Sequence, residues 1–189
     1  MYSAMSNVAE SFYLILHPRP AYLIGSGRVG EVANFMAASW VTPVSEDPPR
    51  LAVAVGIDSY TYELIKRYGE FTVNVYPVEK IDVIYACGSM SGRKVDKISK
   101  LGLEAIKGRH VSAPILKDAI AAIECKVWQL VGSGDAALIL GDVVDIHITE
   151  FFDEDRGWDF RRINIPLHNW GRGFYTVGRF VLARRARKP

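Results

Sequence analysis

The chain alternates short apolar runs with turn residues, and few stretches follow the 3.6-residue period of a long helix. Segment 51–57 is apolar throughout, which predicts a strand buried on both faces. Segment 71–76 alternates apolar and polar residues and predicts a second strand. Two longer apolar segments, 123–131 and 137–148, flank a glycine-rich turn at 132–135, a pattern typical of a hairpin.

The segments with a helical pattern are short. The strongest covers 60–67, where Asp58 or Ser59 can cap the start and Gly69 follows the end. Weaker patterns predict further elements: helices at 79–87, at 95–101 and just after Pro114, and strands at 22–24 and 174–182.

These elements predict one mostly-β domain of barrel or Greek-key type with a few helices on its outside. The sequence holds no internal repeat, no low-complexity tract and no linker. We therefore expect a single domain over 1–189, with a short N-terminal extension at about 1–12 and a basic tail at about 181–189.

Composition and charge exclude several classes of protein. With 49% hydrophobic and 23% charged residues, the chain is neither disordered, nor collagen-like, nor a coiled coil. The net charge of +2 suggests an anionic partner, but five of the 23 basic residues lie in 179–189, which has no acid. Residues 1–178 carry 18 basic against 21 acidic side chains, a net charge of −3. No aromatic residue beyond Phe180 interleaves the basic tail, so we expect no nucleic-acid partner.

Only two cysteines are present, Cys87 and Cys125, and neither belongs to a CxxC pair or lies at ligand spacing from a histidine. This predicts no metal site and two free thiols, as is usual in a reducing compartment. The N-terminal apolar stretch is too short for a signal peptide, and no run is long enough to span a membrane. We expect a cytoplasmic protein with no membrane association.

The pattern Gly25-x-Gly27-x-x-Gly30 follows a predicted strand, as the phosphate-binding turn of a dinucleotide-binding domain would. A helix starting at residue 31 would nevertheless have to stop before Pro43, and the chain lacks the repeated strand–helix–strand pattern of that fold. A hairpin turn is the favoured interpretation, and a dinucleotide-binding module remains an alternative.

Segment 34–49 has the composition of a cofactor-binding strand and loop. Small residues at 37–39 allow a flat ligand to lie against the backbone, and Thr42 and Ser45 add hydroxyl groups suited to phosphate or ribityl oxygens. The alternative is an ordinary strand and loop with Ser and Thr in turns.

A second polar cluster, 87–97, combines glycines, serines and three basic residues ahead of a short predicted helix. Backbone amides, hydroxyls and Arg93 or Lys97 could together bind an anion, although a solvated turn would have the same composition. Taken together, the two segments favour a phosphorylated planar cofactor.

The chain resembles the flavin reductase-like family, the FMN-binding split barrels that include archaeal ferric reductases and flavoredoxin. The resemblance covers about 13–180 and is carried by five segments: NFMAASWVTPVSEDPP, FTVNVYP, CGSMSGRKVDK, SAPILKDAIAAIECKV and YTVGR. It implies a homodimer of split β-barrels that binds FMN non-covalently.

The resemblance also implies which residues contact the cofactor. For the ring system these are mainly backbone contacts of Asn34, Met36, Ala37, Ala38, Ser39, Trp40 and Val41. The phosphate and ribityl candidates are Thr42, Ser45, Ser91, Arg93 and Lys97, and the further cofactor-binding candidates are Cys87, Gly88 and Gly92. The implied reaction passes a hydride from NADH or NADPH to FMN and electrons on to a protein or a ferric chelate. Such a transfer requires no catalytic acid or base, and we assign none.

One departure from the family pattern stands at Ala136. Many relatives have a histidine after the Gly-Asp of this turn, whereas here Gly134-Asp135 is followed by alanine. If that histidine assists nicotinamide binding, a reductase function is in doubt, and an FMN-containing electron carrier reduced by a protein partner is the alternative. His168 is a further residue that could lie near the flavin.

Overall fold

The computed structural model describes residues 12–183 of the chain. Strands hold 45% of these residues and helices 18%, which confirms the mostly-β prediction. The strands are β1 (Arg19–Pro20), β2 (Tyr22–Arg28), β3 (Val32–Ala38), β4 (Val41–Ser45), β5 (Arg50–Gly56), β6 (Glu70–Val75), β7 (Ala105–Lys107), β8 (Pro114–Leu116), β9 (Ala121–Ser133), β10 (Ala136–Ile148), β11 (Phe152–Asp153), β12 (Gly157–Trp158), β13 (Leu167–Trp170) and β14 (Gly173–Tyr175).

Seven strands form the main antiparallel sheet, in the order β3-β2-β6-β9-β10-β5-β4. Strands β3 and β4 are its two edges, yet only Ser39 and Trp40 join them in the chain. The sheet must therefore curl until its edges are adjacent. The Ala54 amide donates to the Trp40 carbonyl oxygen at 3.0 Å, which extends the β4–β5 pairing to the residues that join the two edges. The smaller sheets are β1-β13-β14, β7-β8 and β11-β12.

Strand β2 is buried on both faces, so successive side chains enter different cores. Ile24 packs inside the curled sheet with Val53, Phe71 and Ile139. Leu23 points the other way, into a layer between the sheet and the helices.

Three α-helices pack on the sheet: α1 (Tyr60–Tyr68), α2 (Ile81–Ser89) and α3 (Lys97–Leu101). Two short 3₁₀ helices cover Phe12–Leu16 and Val78–Lys80. The capping prediction for α1 is confirmed, because the Ser59 hydroxyl accepts the Tyr62 amide and Gly69 is left-handed at φ 69°. Among the described residues, no helix is long and apolar enough to cross a membrane.

The prediction for the glycine pattern is only partly right. Strand β2 continues to Arg28, so only Gly30 lies in the turn, and β3 pairs antiparallel with β2 instead of giving way to a helix. The dinucleotide-binding alternative is therefore wrong. Gly25 is required by packing, because a Cβ there would lie 2.1 Å from the Pro114 carbonyl oxygen.

Two further element predictions are wrong. The segment after Pro114 is not helical but forms β8, which pairs with β7 and is fully buried. The predicted last strand, 174–182, ends at Tyr175, and 176–183 has no regular secondary structure. Of the predicted extensions, the structure describes only Phe12 at the N-terminal side and 181–183 of the basic tail.

Candidate functional site

Two cavities lie side by side along β3, next to α2 and the loop that follows it. The first, which we call the apolar cleft, has a volume of about 410 Å³. Its walls come from β3, α2 and the β13–β14 hairpin, together with the residue before β2 and the residue after β3. The lining residues are Ala21, Ala37, Ala38, Ser39, Ile84, Tyr85, Gly88, Ser89, His168, Trp170, Gly171 and Phe174. The predicted small residues at 37–39 and Gly88 therefore do face one space.

Where β3 faces α2, the apolar cleft is open because residues 37–39 and 88 carry almost no side-chain volume. A Cβ on Gly88 would lie 3.2 Å from the Cβ of Ala37, so a glycine at 88 allows the helix and the strand to approach this closely without a tight contact. The space that larger side chains would fill is left for a flat ligand.

The second cavity, the polar pocket, has a volume of about 490 Å³ and brings together three predicted residues, Asn34, Gly92 and Arg93. The side-chain amide of Asn34 donates to the Thr61 hydroxyl at 3.0 Å. Its Oδ1 atom is buried and has no partner within the described part of the chain. An unpaired buried acceptor of this kind fits a ligand that carries hydroxyl donors.

Arg93 places a cation at the polar pocket, but this cation is already engaged. Its guanidinium donates to the Glu63 carboxylate at 2.8 Å and to the Asp58 carbonyl oxygen at 2.7 Å. The Ser91 hydroxyl accepts the Arg93 amide at 3.4 Å. An anion in the polar pocket would share Arg93 with Glu63.

Lys97 and Cys87 lie between strand and helix rather than on an open surface. Lys97 is 4% exposed, and its ammonium donates to the carbonyl oxygens of Phe35 and Cys87. Burial lowers the pKa of Lys97, although the nearby Cys87 opposes this. Burial raises the pKa of Cys87 to about 11 despite Lys97, so the thiol is protonated at neutral pH.

Thr42 and Ser45 do not line the polar pocket. Both lie on β4, which pairs with β5 at the far edge of the sheet order. Val41 and Thr42 line a third cavity of about 620 Å³, the apolar groove. Its other lining residues are Tyr22, Pro43, Leu51, Val73, Val75, Ala121, Ile123, Ile146, Ile148, Phe152, Glu154, Trp158 and Ile165. The assignment of Thr42 and Ser45 to the phosphate stays a prediction.

Two other predicted residues have clear positions. Met36 packs against the core inside the curled sheet, so only its backbone is available to a ligand at β3. Trp40 is 39% exposed, and its ring lies 5.8 Å from that of Tyr13. Ala136 opens β10 opposite Ser133 and lines none of the three cavities.

Sequence reasoning missed the aromatic wall of the apolar cleft. Tyr85, Trp170 and Phe174 line it, and His168 lies there as suggested, with its ring 5.6 Å from that of His17. The aromatic residues Trp170 and Phe174 on either side of Gly171 could have indicated an aromatic surface. No local pattern, however, indicated that this hairpin folds back beside β3.

Comparison with known proteins identifies the fold and its relatives. A family model described as flavin reductase like domain matches residues 14–178. The chain belongs to this family. In structure it is similar to flavoredoxin from Methanosarcina acetivorans, with 28% identity, a TM-score of 0.84 and coverage of 97% of this chain and 95% of that one.

Two other relatives are informative. An FMN-binding protein from Thermus thermophilus, solved with bound 1-cyclohex-2-enone, has 27% identity, a TM-score of 0.82 and coverage of 97% and 99%. The NADH-dependent FMN reductase AsuE2 of Streptomyces nodosus subsp. asukaensis is 32% identical over 123 residues, 64% of each chain. This chain is therefore a member of an FMN-binding oxidoreductase family.

The residues present fit a flavin mononucleotide. The apolar cleft provides one wall of small residues, at 37–39 and 88, against which a planar ring system can lie, and aromatic side chains on its other sides. The adjacent polar pocket provides the free Asn34 acceptor, a glycine at 92 and the Arg93 cation, which suit ribityl hydroxyls and a phosphate.

Proposed function

We propose that the protein binds FMN non-covalently along β3 and uses it as an NAD(P)H-dependent flavin or ferric reductase. The observation that carries the proposal is the succession of an apolar cleft and a polar pocket beside one strand. Ala37, Ala38, Ser39 and Gly88 would hold the ring system, while Asn34, Ser91, Gly92 and Arg93 would hold the ribityl and phosphate groups.

The bound FMN would accept a hydride from the nicotinamide and release electrons to an acceptor. The protein residues would position the two rings and exclude water, and neither task requires a catalytic acid or base. The buried cation of Lys97, beneath the join of β3 and α2, would contribute a positive potential that favours anionic ligands here. The aromatic side chains of Trp170 and Phe174 would close the cleft on the side opposite β3.

The donor and the acceptor follow from relatives rather than from a feature of the cleft. AsuE2 is named as an NADH-dependent FMN reductase, which supports NADH or NADPH as donor. A ferric chelate or an acceptor protein is the proposed destination of the electrons. Both cysteines are free and buried, which suits a reducing cytoplasm.

The second candidate is an FMN-containing electron carrier reduced by a protein partner. Two points favour it: the structural similarity to flavoredoxin, and the alanine at 136, where the family resemblance implies a histidine. In either case we propose a homodimer, as the family resemblance implies, because large apolar side chains such as Trp128 and Ile146 remain about half exposed in one chain.

An absorption spectrum of the purified protein tests the cofactor. Oxidised FMN would add its near-ultraviolet and visible bands, and the bands should bleach on anaerobic addition of NADH or NADPH without any partner. Bleaching would support the reductase, whereas stable bands that bleach only with a reduced protein partner would support the carrier. A colourless protein that also gains no thermal stability from added FMN would overturn both candidates.

A further inference from the structure

The C-terminal described segment exposes three consecutive large apolar side chains. Phe180 is 85% exposed, Val181 is 70% exposed and Leu182 is 80% exposed. Phe180–Leu182 also falls in a stretch with no regular secondary structure. Exposure of apolar side chains to water is unfavourable, and a contiguous exposed apolar segment is typical of an interaction site.

The apolar groove is a complementary surface on the same molecule. Its volume is about 620 Å³, and its lining is almost entirely aliphatic and aromatic. At its rim, Ile146 is 52% exposed and Ile148 is 45% exposed, and both lie at the C-terminal end of the long strand β10. The groove has room for two or three large side chains.

The two surfaces also lie next to sequence segments of opposite charge. The exposed segment continues in sequence into Arg184, Arg185, Arg187 and Lys188, with no acid. Beside the groove, residues 150–162 hold five acidic and three basic side chains. Within the described residues, the ion pairs of this stretch join Arg162 to Glu150 and Arg161 to Asp159. In the part of the chain that the structure describes, no ion pair involves Asp153, Glu154 or Asp155, and Glu154 lines the groove itself.

In a single chain the two surfaces do not meet, because Phe180 and Leu182 remain exposed. We propose that residues 176–183 of one chain dock in the apolar groove of a second copy, whose acidic rim has the charge opposite to that of the basic sequence after residue 183. In a two-fold dimer the exchange is reciprocal, so each copy covers the other's groove. This inference rests on the homodimer proposed above and is independent of the FMN chemistry.

Sedimentation equilibrium of substituted full-length chains tests the inference. The double variant Phe180→Ser with Leu182→Ser alters only exposed side chains, so folding should be unaffected. Ile148→Asp places a charge at the groove rim. Both the double variant and Ile148→Asp should raise the dimer dissociation constant at least about tenfold, because each removes roughly the contribution of one buried apolar side chain. Ile106→Ser, at a 43% exposed residue of β7, is the matched control and should change nothing.

A cross-linking experiment distinguishes exchange from docking within one chain. Val181→Cys and Ile148→Cys variants are prepared separately, mixed, equilibrated and treated with a short bismaleimide; the native cysteines are buried. The proposal predicts a cross-linked dimer that contains one copy of each variant. A doubly substituted chain that cross-links only to itself would overturn it.

The outcomes separate this inference from the homodimer proposal. A monomeric wild-type protein would overturn both. A dimer whose dissociation constant is unchanged by the Phe180 and Ile148 variants would overturn only the exchange of segments. Glu154→Lys should weaken the dimer at low salt more than at high salt, and Glu79→Lys should not.

Discussion

The ammonium nitrogen of Lys97 lies 2.8 Å from the carbonyl oxygen of Phe35, in the middle of β3. A second bond, to the Cys87 carbonyl oxygen at 2.7 Å, ties the same ammonium to α2. One buried side chain thus links the strand and the helix that form the two walls of the apolar cleft. This contact, rather than an open position at a phosphate, is what the structure shows for Lys97.

Replacing Lys97 with methionine should destabilise the fold and weaken FMN binding. Two buried carbonyl oxygens would lose their donor, which costs about 2 kcal/mol or more. Urea unfolding measures the stability, and flavin fluorescence titration measures the affinity. The exposed Lys100→Met on the same helix is the control and should change neither. Unaltered stability of Lys97→Met would show that the two bonds contribute nothing.

Replacing Gly88 with valine should close the apolar cleft. Even the Cβ of an alanine would lie 3.2 Å from Ala37, and two further methyl groups would project into the space proposed for the ring system. We expect FMN affinity to fall at least about tenfold while the circular dichroism spectrum is retained. Gly178→Ala, where a Cβ would meet nothing, serves as the control. If Gly88→Val binds FMN normally, the ring system lies elsewhere.

Alanine substitutions at Arg93 and Ser45 should have different effects on FMN affinity. Both were predicted to contact the phosphate, but only Arg93 lines the polar pocket, whereas Ser45 lies on β4. We expect Arg93→Ala to weaken FMN binding about tenfold and Ser45→Ala to weaken it less. Isothermal titration calorimetry compares them, with Arg67→Ala as a surface control. A larger loss at Ser45 would place the phosphate at β4.

Acid should destabilise the protein partly through Glu124. This fully buried carboxylate accepts the amides of Arg109, His110 and Val111 and contacts the His147 ring at 2.5 Å. Burial tends to raise the pKa of Glu124, but these hydrogen bonds hold it below its ordinary value of 4.5. The resulting stability is fully present above pH 4.5 and is lost as the pH falls through the lowered pKa.

The Glu124→Gln variant tests this linkage. The amide group of glutamine would present N–H donors to backbone donors, so we expect a loss of roughly 3 kcal/mol at pH 7. Urea unfolding at pH 7 and near pH 3 should show the difference from wild type shrinking in acid. Glu104→Gln, at an exposed carboxylate, is the control. A difference that is constant with pH would contradict the linkage.

Local signals in the sequence determined the elements that depend on neighbouring residues. Helix α1 was predictable from its Ser59 cap and Gly69 stop, and the β9–β10 hairpin from two apolar segments around a short turn. The same reasoning failed after Pro114, where the segment forms a strand because β7 supplies its pairing partner. It also failed at 176–182, where the apolar residues have no adjacent strand to pair with.

For the candidate site, the sequence by itself determined the chemistry of the parts: small residues at 37–39, glycines at 88 and 92, and a nearby arginine. Only the tertiary structure decided which of them share a space. Packing of α2 on β3 joins segments some fifty residues apart, and the strand order places Thr42 and Ser45 on β4, the edge strand opposite β3. The tertiary structure also brings Trp170 and His168 into the cleft. Residue spacing along a chain specifies local hydrogen bonds and periodicity, but distances between remote segments depend on how buried surfaces fit together.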